Sequence, residues 1–154
     1  MWDYAVAAGD ALTDNWKLSD FENGIYHLQV YGPNGFFREF TGSKDEPSVF
    51  IRPTYEPASD NPAQLSGKLV LTFANGAKTP QTVIITDNAY KTASQTVIVQ
   101  PGRENLAIIN TIKSHSWYDF TFTVKGHATY SKRYAGRIET GRNSKTDPLM
   151  GRVV

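Results

Sequence analysis

The stretch "KLVLTFANG" (68 to 76) decides the fold class. Leu69, Leu71 and Phe73 alternate with Lys68, Val70 and Thr72, so an extended backbone sends the first set to one face and the second to the other. "WYDFTFTV" (117 to 124) repeats the pattern, with Tyr118, Phe120, Phe122 and Val124 alternating with Asp119, Thr121 and Thr123. A half-buried strand requires this period of two, and a helix cannot use it. "TVIIT" (82 to 86) and "TVIV" (96 to 99) are apolar on both faces, which suits central strands or a surface covered by another module.

Working outward, β-branched and aromatic runs punctuated by Gly, Pro and Asn recur at 24–32, 35–42, 48–57, 68–76, 81–89, 94–102, 105–112 and 117–126. Strands at that spacing argue for a sandwich or a barrel, and the fold class expected is all-β, an immunoglobulin-like antiparallel β-sandwich with part of a second related repeat. The 154 residues suffice for one domain with a real core. Sixteen Lys and Arg against fifteen Asp and Glu give a net charge of +1, so no long-range field draws the chain to nucleic acid. With no cysteine, disulfides, thiolate catalysis and Cys-based zinc sites are excluded. The opening "MWDYAVAAGD" is neither a signal peptide nor a membrane anchor, and it is the kind of start expected of a fragment.

An internal repeat organises the chain. Gly9 matches Gly102, Leu12 matches Leu106, Tyr26 matches Tyr118, Phe40 matches Tyr134 and Gly42 matches Gly136, at offsets of 93, 94, 92, 94 and 94 residues. Two such halves imply two copies of one β module. The expected division is therefore 1–42 as the C-terminal half of a first copy, 43–47 as a linker, 48–141 as a complete second copy and 142–154 as a tail. Whether 1–42 forms its own sheet or completes its neighbour is open at this level.

"YGPNGFFREFTG" (31 to 42) has the glycines of a phosphate loop, yet it lacks a closing Lys-Ser/Thr pair and opens β-favouring residues instead of a helix. It reads as a hairpin, with Pro33 at i+1 and Asn34 at i+2 of a type I turn and Gly35 in the left-handed position that follows. Phe36 and Phe37 are consecutive, so one must point away from the core, toward a neighbouring module or a membrane interface.

No catalytic set can be nominated. His27, His115 and His127 have no ligand partner at metal spacing, and neither metal nor cofactor is expected. "TDNAY" (86 to 90) could offer calcium oxygens through Asp87 and Asn88, although an Asx turn is the simpler reading. In "YSKRYAGRIETGRNSK" (130 to 145), Lys132, Arg133, Arg137, Arg142 and Lys145 oppose only Glu139, five minus one, net +4. Such a patch suits anionic head groups, and the simpler reading is an edge strand guarded by charge. Trp16 and Trp117 would serve a carbohydrate-binding sandwich only as exposed platforms.

Taken together, "YGPNGFFREFTG", "SHSWYDFTFTV", "YAGRIETGRNSKTDPLMG" and the "DNAY" turn resemble the C-terminal region of the bacterial phosphocholine-specific, non-haemolytic type phospholipase C family, over essentially the whole chain. The resemblance implies a parent enzyme that hydrolyses phosphatidylcholine or sphingomyelin, is exported to the periplasm or secreted, and keeps its catalytic residues in a domain upstream. This chain would then be a non-catalytic module whose partner is that catalytic domain and whose second partner is a membrane surface, with no nucleic acid involved and the isolated chain a monomer. Phe36, Phe37, Arg38, Lys132, Arg133 and Arg137 are the expected interface or lipid contacts.

Overall fold

Nine strands and three single 3-10 turns make up the computed structural model, which describes residues 2–91, 94–143 and 145–149. Positions 144 and 150–154 of the expected tail lie outside them. The strands are β1 (Tyr26–Tyr31), β2 (Phe37–Gly42), β3 (Val49–Pro57), β4 (Leu65–Asn75), β5 (Gln81–Asp87), β6 (Gln95–Val99), β7 (Glu104–Asn110), β8 (Trp117–Val124) and β9 (Ser131–Arg137). They form two antiparallel sheets, ordered β1-β2-β9-β8-β5-β6 and β3-β4-β7, and the chain is a β-sandwich.

The alternation read from the sequence is what holds the sheets together. Leu69, Leu71 and Phe73 of β4 are fully buried, as are Val83 of β5, Val99 of β6 and Phe122 of β8. The Phe73 and Phe122 rings meet across the sandwich at 6.1 Å between centroids. Each such side chain contributes about 1.5–3 kcal/mol of burial, so this layer alone rewards the period-two pattern. Asn75 seals one end of it. Its side chain donates to Val99 O at 2.8 Å and Thr79 O at 2.9 Å and accepts from Ala77 N at 2.8 Å.

Residues 26–42 do not make a separate sheet. Their hairpin, β1–β2, hydrogen-bonds through β2 to β9 and extends the larger sheet. Residues 43–48 hold no strand and carry the chain from β2 in the large sheet to β3 in the small one.

Two expectations change. "SKRYAGR" is not an edge strand, because β9 lies between β2 and β8. Its charges are tolerated there since Arg133 is neutralised by Asp119 and Lys132 lies over the Tyr130 ring at 5.4 Å. The hairpin turn also differs: both Asn34 (φ 55°) and Gly35 (φ 74°) are left-handed, and Phe36 N donates to Pro33 O at 3.1 Å. That makes Asn34-Gly35 the central pair of a two-residue turn of the I′ kind, with Pro33 at position i.

Candidate functional site

Two surfaces carry unusual chemistry: the seam between the two hairpins, and a basic crevice beyond the end of β9. The register of the seam determines which side chains of the two hairpins are exposed.

In the first hairpin Tyr26 pairs with Gly42 and Leu28 with Phe40; in the second, Tyr118 pairs with Gly136 and Phe120 with Tyr134. These are the same pairs, 92 residues on along β1 and 94 along β2. The seam is symmetric too. Phe37 pairs with Ala135, Glu39 with Arg133 and Thr41 with Ser131. Adding 94 to Phe37 gives Ser131, and subtracting 94 from Ala135 gives Thr41, so the pairing maps onto itself about Glu39 and Arg133. The four strands β1-β2-β9-β8 form a local two-fold dimer of hairpins within one chain.

Side chains follow the same symmetry. The hydroxyl of Tyr26 lies against Gly42 and that of Tyr118 against Gly136; a Cβ at either glycine would meet it at 2.7 or 2.9 Å, so only glycine leaves room for the ring across the strand pair. Arg38 stacks on Phe36 at 4.2 Å, and Lys132 sits over Tyr130 at 5.4 Å. On the outer face, His27 meets Glu39 at 2.7 Å where the second hairpin has Asp119 meeting Arg133 at 2.6 Å. The charges are exchanged between the two hairpins while the geometry is kept.

Upstream of β1 the likeness continues in the turns. Asp10 N donates to Ala7 O at 3.0 Å and Arg103 N to Gln100 O at 3.1 Å, with Gly9 and Gly102 at φ 86° and 65°. Asn23 and Gly24 (φ 55° and 63°) stand where His115 and Ser116 (φ 54° and 73°) stand 92 residues later. Burial, by contrast, is not repeated. Val97 and Val99 are 7% and 0% exposed, whereas Tyr4 and Val6, 93 residues earlier, are 48% and 52% exposed. Residues 2–7 and 10–17 belong to no helix and no sheet. Trp2, Leu12, Trp16 and Val30 are exposed with them, and β1 is a free edge.

The expected contact residues are spread over this framework and do not form one patch. Arg38 faces inward, donating to Ala135 O and Phe37 O at 2.8 Å and to Tyr118 Oη at 3.2 Å. Phe37 is on the outer face, against Tyr31 at 4.9 Å and under Arg133 at 5.5 Å. Lys132 is largely buried, and that burial lowers its ammonium pKa below the ordinary lysine range. Arg133 is occupied by a two-pronged bond to Asp119, Nε at 2.8 Å and Nη2 at 2.6 Å, which raises its pKa. Trp117 is no free platform, since it packs over the Gly35 turn and against the Arg137 guanidinium at 5.7 Å. Asp87 closes its turn by accepting from Ala89 N and Tyr90 N at 2.8 and 2.9 Å, while Asn88 donates to Asp119 at 2.8 Å. Among the described residues no group of three or more His, Cys, Asp or Glu is placed to hold a metal.

Only Arg137 belongs to the second surface. It joins Arg142, Lys145 and His115 in lining a crevice of about 290 Å³ between the start of β4 and the segment after β9. Its side chain is 15% exposed, and its one ion pair, to Glu139, is 3.5 Å long. The Nε of Arg137 is enclosed without an acceptor. The sequence signal for this surface was present in the net +4 of 130–145, but nothing in it separates Lys132 and Arg133, used internally, from Arg137, Arg142 and Lys145.

With that geometry in place, comparison with known proteins is informative. A family model described as "Bacterial phospholipase C, C-terminal domain" matches residues 1–43 and 50–137. A non-hemolytic phospholipase C of Pseudomonas aeruginosa is 33% identical over 156 residues, covering 96% of this chain and 21% of the relative. The non-hemolytic phospholipase C of Burkholderia pseudomallei is 33% identical over 157 residues, 97% of this chain and 21% of that protein. A hemolytic phospholipase C of Pseudomonas aeruginosa is 35% identical over 143 residues, 90% and 19%. The chain thus spans about a fifth of the length of the relatives it matches. It belongs to the family of bacterial phospholipase C C-terminal domains.

Proposed function

We propose that this chain is the non-catalytic C-terminal module of a secreted bacterial phospholipase C, with residues 1–42 the second half of one β repeat and 48–141 a complete second one. The parent's substrate is a choline phospholipid, by the resemblance noted from the sequence. The segment of the parent preceding these residues supplies the missing half of the first repeat, and through it the module packs on the catalytic domain.

The observation that carries this reading is the mismatch at equivalent positions. Tyr4 and Val6 are half exposed where Val97 and Val99 are buried. β1 is bare along the edge that β8, its counterpart, uses to bind β5. In the second copy Val83 pairs with Val124 and Asp87 with Phe120; subtracting 92 from Phe120 and Val124 gives Leu28 and Gly32, the stretch of β1 that an upstream strand would join. Apolar residues on the outer faces, Ile84 and Ile98 on one sheet and Leu106 and Ile108 on the other, extend the area available for packing between domains.

The test is deletion of these residues from the parent enzyme. The expected result is loss of solubility, or loss of activity even on water-soluble phosphocholine esters, because the catalytic domain loses a packing surface. Full activity on such esters would overturn the packing role. A second reading, a module that meets the lipid surface, is favoured by the basic crevice; sedimentation of the chain with anionic vesicles, weakened by salt, is its expected sign.

A further inference from the structure

We propose that the crevice beyond β9 binds a phosphate group, as a monoester or diester of a small molecule or lipid head group. This inference rests on the second copy alone and stands whether or not the first copy is completed from upstream.

Three basic side chains, Arg137, Arg142 and Lys145, line the crevice together with His115, and among the described residues no carboxylate lines it. The chain as a whole carries only +1, so this local excess is not a reflection of overall composition. Arg137 is the centre of it. Its guanidinium is held by the Trp117 ring and largely shielded from water, yet its pair with Glu139 is long and Glu139 is 55% exposed. A partly buried, weakly compensated guanidinium gains most from an incoming dianion, because Coulomb attraction rises as water is excluded. Arg142 and Lys145 have no carboxylate partner among the described residues, and they are free to close on the same ligand.

The walls are fastened. Trp117 Nε1 donates to Lys145 O at 3.1 Å, which ties Lys145 to the start of β8. Ser66, Ser116 and Thr140 add hydroxyls. His115 and Ser116 both hold left-handed backbone conformations in the wall, at φ 54° and 73°, a strain that non-glycine residues accept only where the surroundings fix it. At about 290 Å³ the space is at the small end for ligand pockets. It suits a phosphate with a short substituent and not a whole lipid.

The proposal is tested on the 154-residue chain by NMR titration with inorganic phosphate, phosphocholine and glycerophosphocholine. The expected result is saturable shifts at His115 and the Arg137 side chain, at about 1 mM or tighter for the monoester, with the singly charged diester weaker and all binding reduced by salt. The double variant Arg142→Gln, Lys145→Gln alters exposed groups only. It should keep the melting temperature and weaken phosphate binding about tenfold or more. Vesicles of phosphatidylcholine with and without phosphatidic acid separate the two sources of the group. Binding to phosphatidic acid vesicles that phosphocholine displaces points to a lipid head group, and saturation by soluble phosphate with no vesicle binding points to a soluble ester. Absence of saturable shifts at the crevice, or equal shifts in the double variant, would overturn the proposal.

Discussion

The hairpins β1–β2 and β8–β9 have the same register, the same tyrosine over glycine, the same cation on an aromatic ring and an ion pair with its signs exchanged. One is clamped beneath the small sheet and is part of a core; the other is half bare. Because local chemistry is nearly equal, the difference in burial isolates what tertiary packing adds, and equivalent substitutions in the two hairpins measure it.

The largest contrast lies at Phe122 and Val30, equivalent at an offset of 92, with exposures of 0% and 49%. Phe122→Ala should cost about 3–5 kcal/mol through the cavity it leaves. Val30→Ala should change the stability of this chain by less than about 0.5 kcal/mol. Urea denaturation of both variants checks the pair, and equal losses would break the comparison.

The glycines come next. Gly136→Ala drives a methyl against Tyr118, a buried ring whose hydroxyl is hydrogen-bonded to Tyr55 at 2.9 Å and cannot give way. A loss of about 2–3 kcal/mol is expected from overpacking. Gly42→Ala meets Tyr26 and Glu46, side chains at the open end of the sheet, and should cost about 1 kcal/mol or less. Thermal melts of the two variants, compared at one pH, rank them.

The ion pairs are the third contrast. Asp119 is 12% exposed and also accepts from Asn88, so Asp119→Ala strands Arg133 and should cost about 2 kcal/mol. The His27–Glu39 pair is solvated, His27 being 57% exposed, and Glu39→Gln should cost no more than about 1 kcal/mol. Hydrogen bonds from Gln29 and then His27 hold the Glu39 carboxyl below its ordinary pKa. Its folded pKa is therefore the lower one, so its contribution is present above the unfolded carboxylate range and is lost as pH falls through the folded value. The melting difference between wild type and Glu39→Gln should accordingly vanish in acid.

Smallest of all is Lys132→Met. The ammonium is desolvated over Tyr130, so removing its charge should leave stability within about 1 kcal/mol. It should also leave phosphate binding unchanged, whereas the double variant Arg142→Gln, Lys145→Gln should weaken it in the same titration.

Much of this could be read from the sequence. Period-two runs such as Leu69, Leu71, Phe73 mark their own strands because burial on one face leaves that trace directly. Offsets of 92 and 94 also relate residues that hold the same register in the two hairpins, Tyr26 with Gly42 and Tyr118 with Gly136. What escaped was the internal place of β9, since Lys132 and Arg133 before Tyr134 and Arg137 after Gly136 look like a guarded edge. The Asp119 partner on the neighbouring strand and the Tyr130 ring two residues before Lys132 make those charges admissible inside a sheet. The turn type escaped because Pro33 fits i+1 as well as i, and the choice is made by the twist of the strands it joins. The crevice required knowing which cations were already spent on internal partners.

The most direct test of the incomplete first repeat is amide hydrogen exchange along β1. It would be measured in the 154-residue chain and in a version extended upstream by the parent's own residues. Pairing of an upstream strand predicts that the β1 amides between Leu28 and Tyr31 not bonded to β2 exchange freely in the short chain. In the extended one they should be slowed by on the order of a hundredfold. Equal exchange in both, with β8 protected throughout, would contradict it.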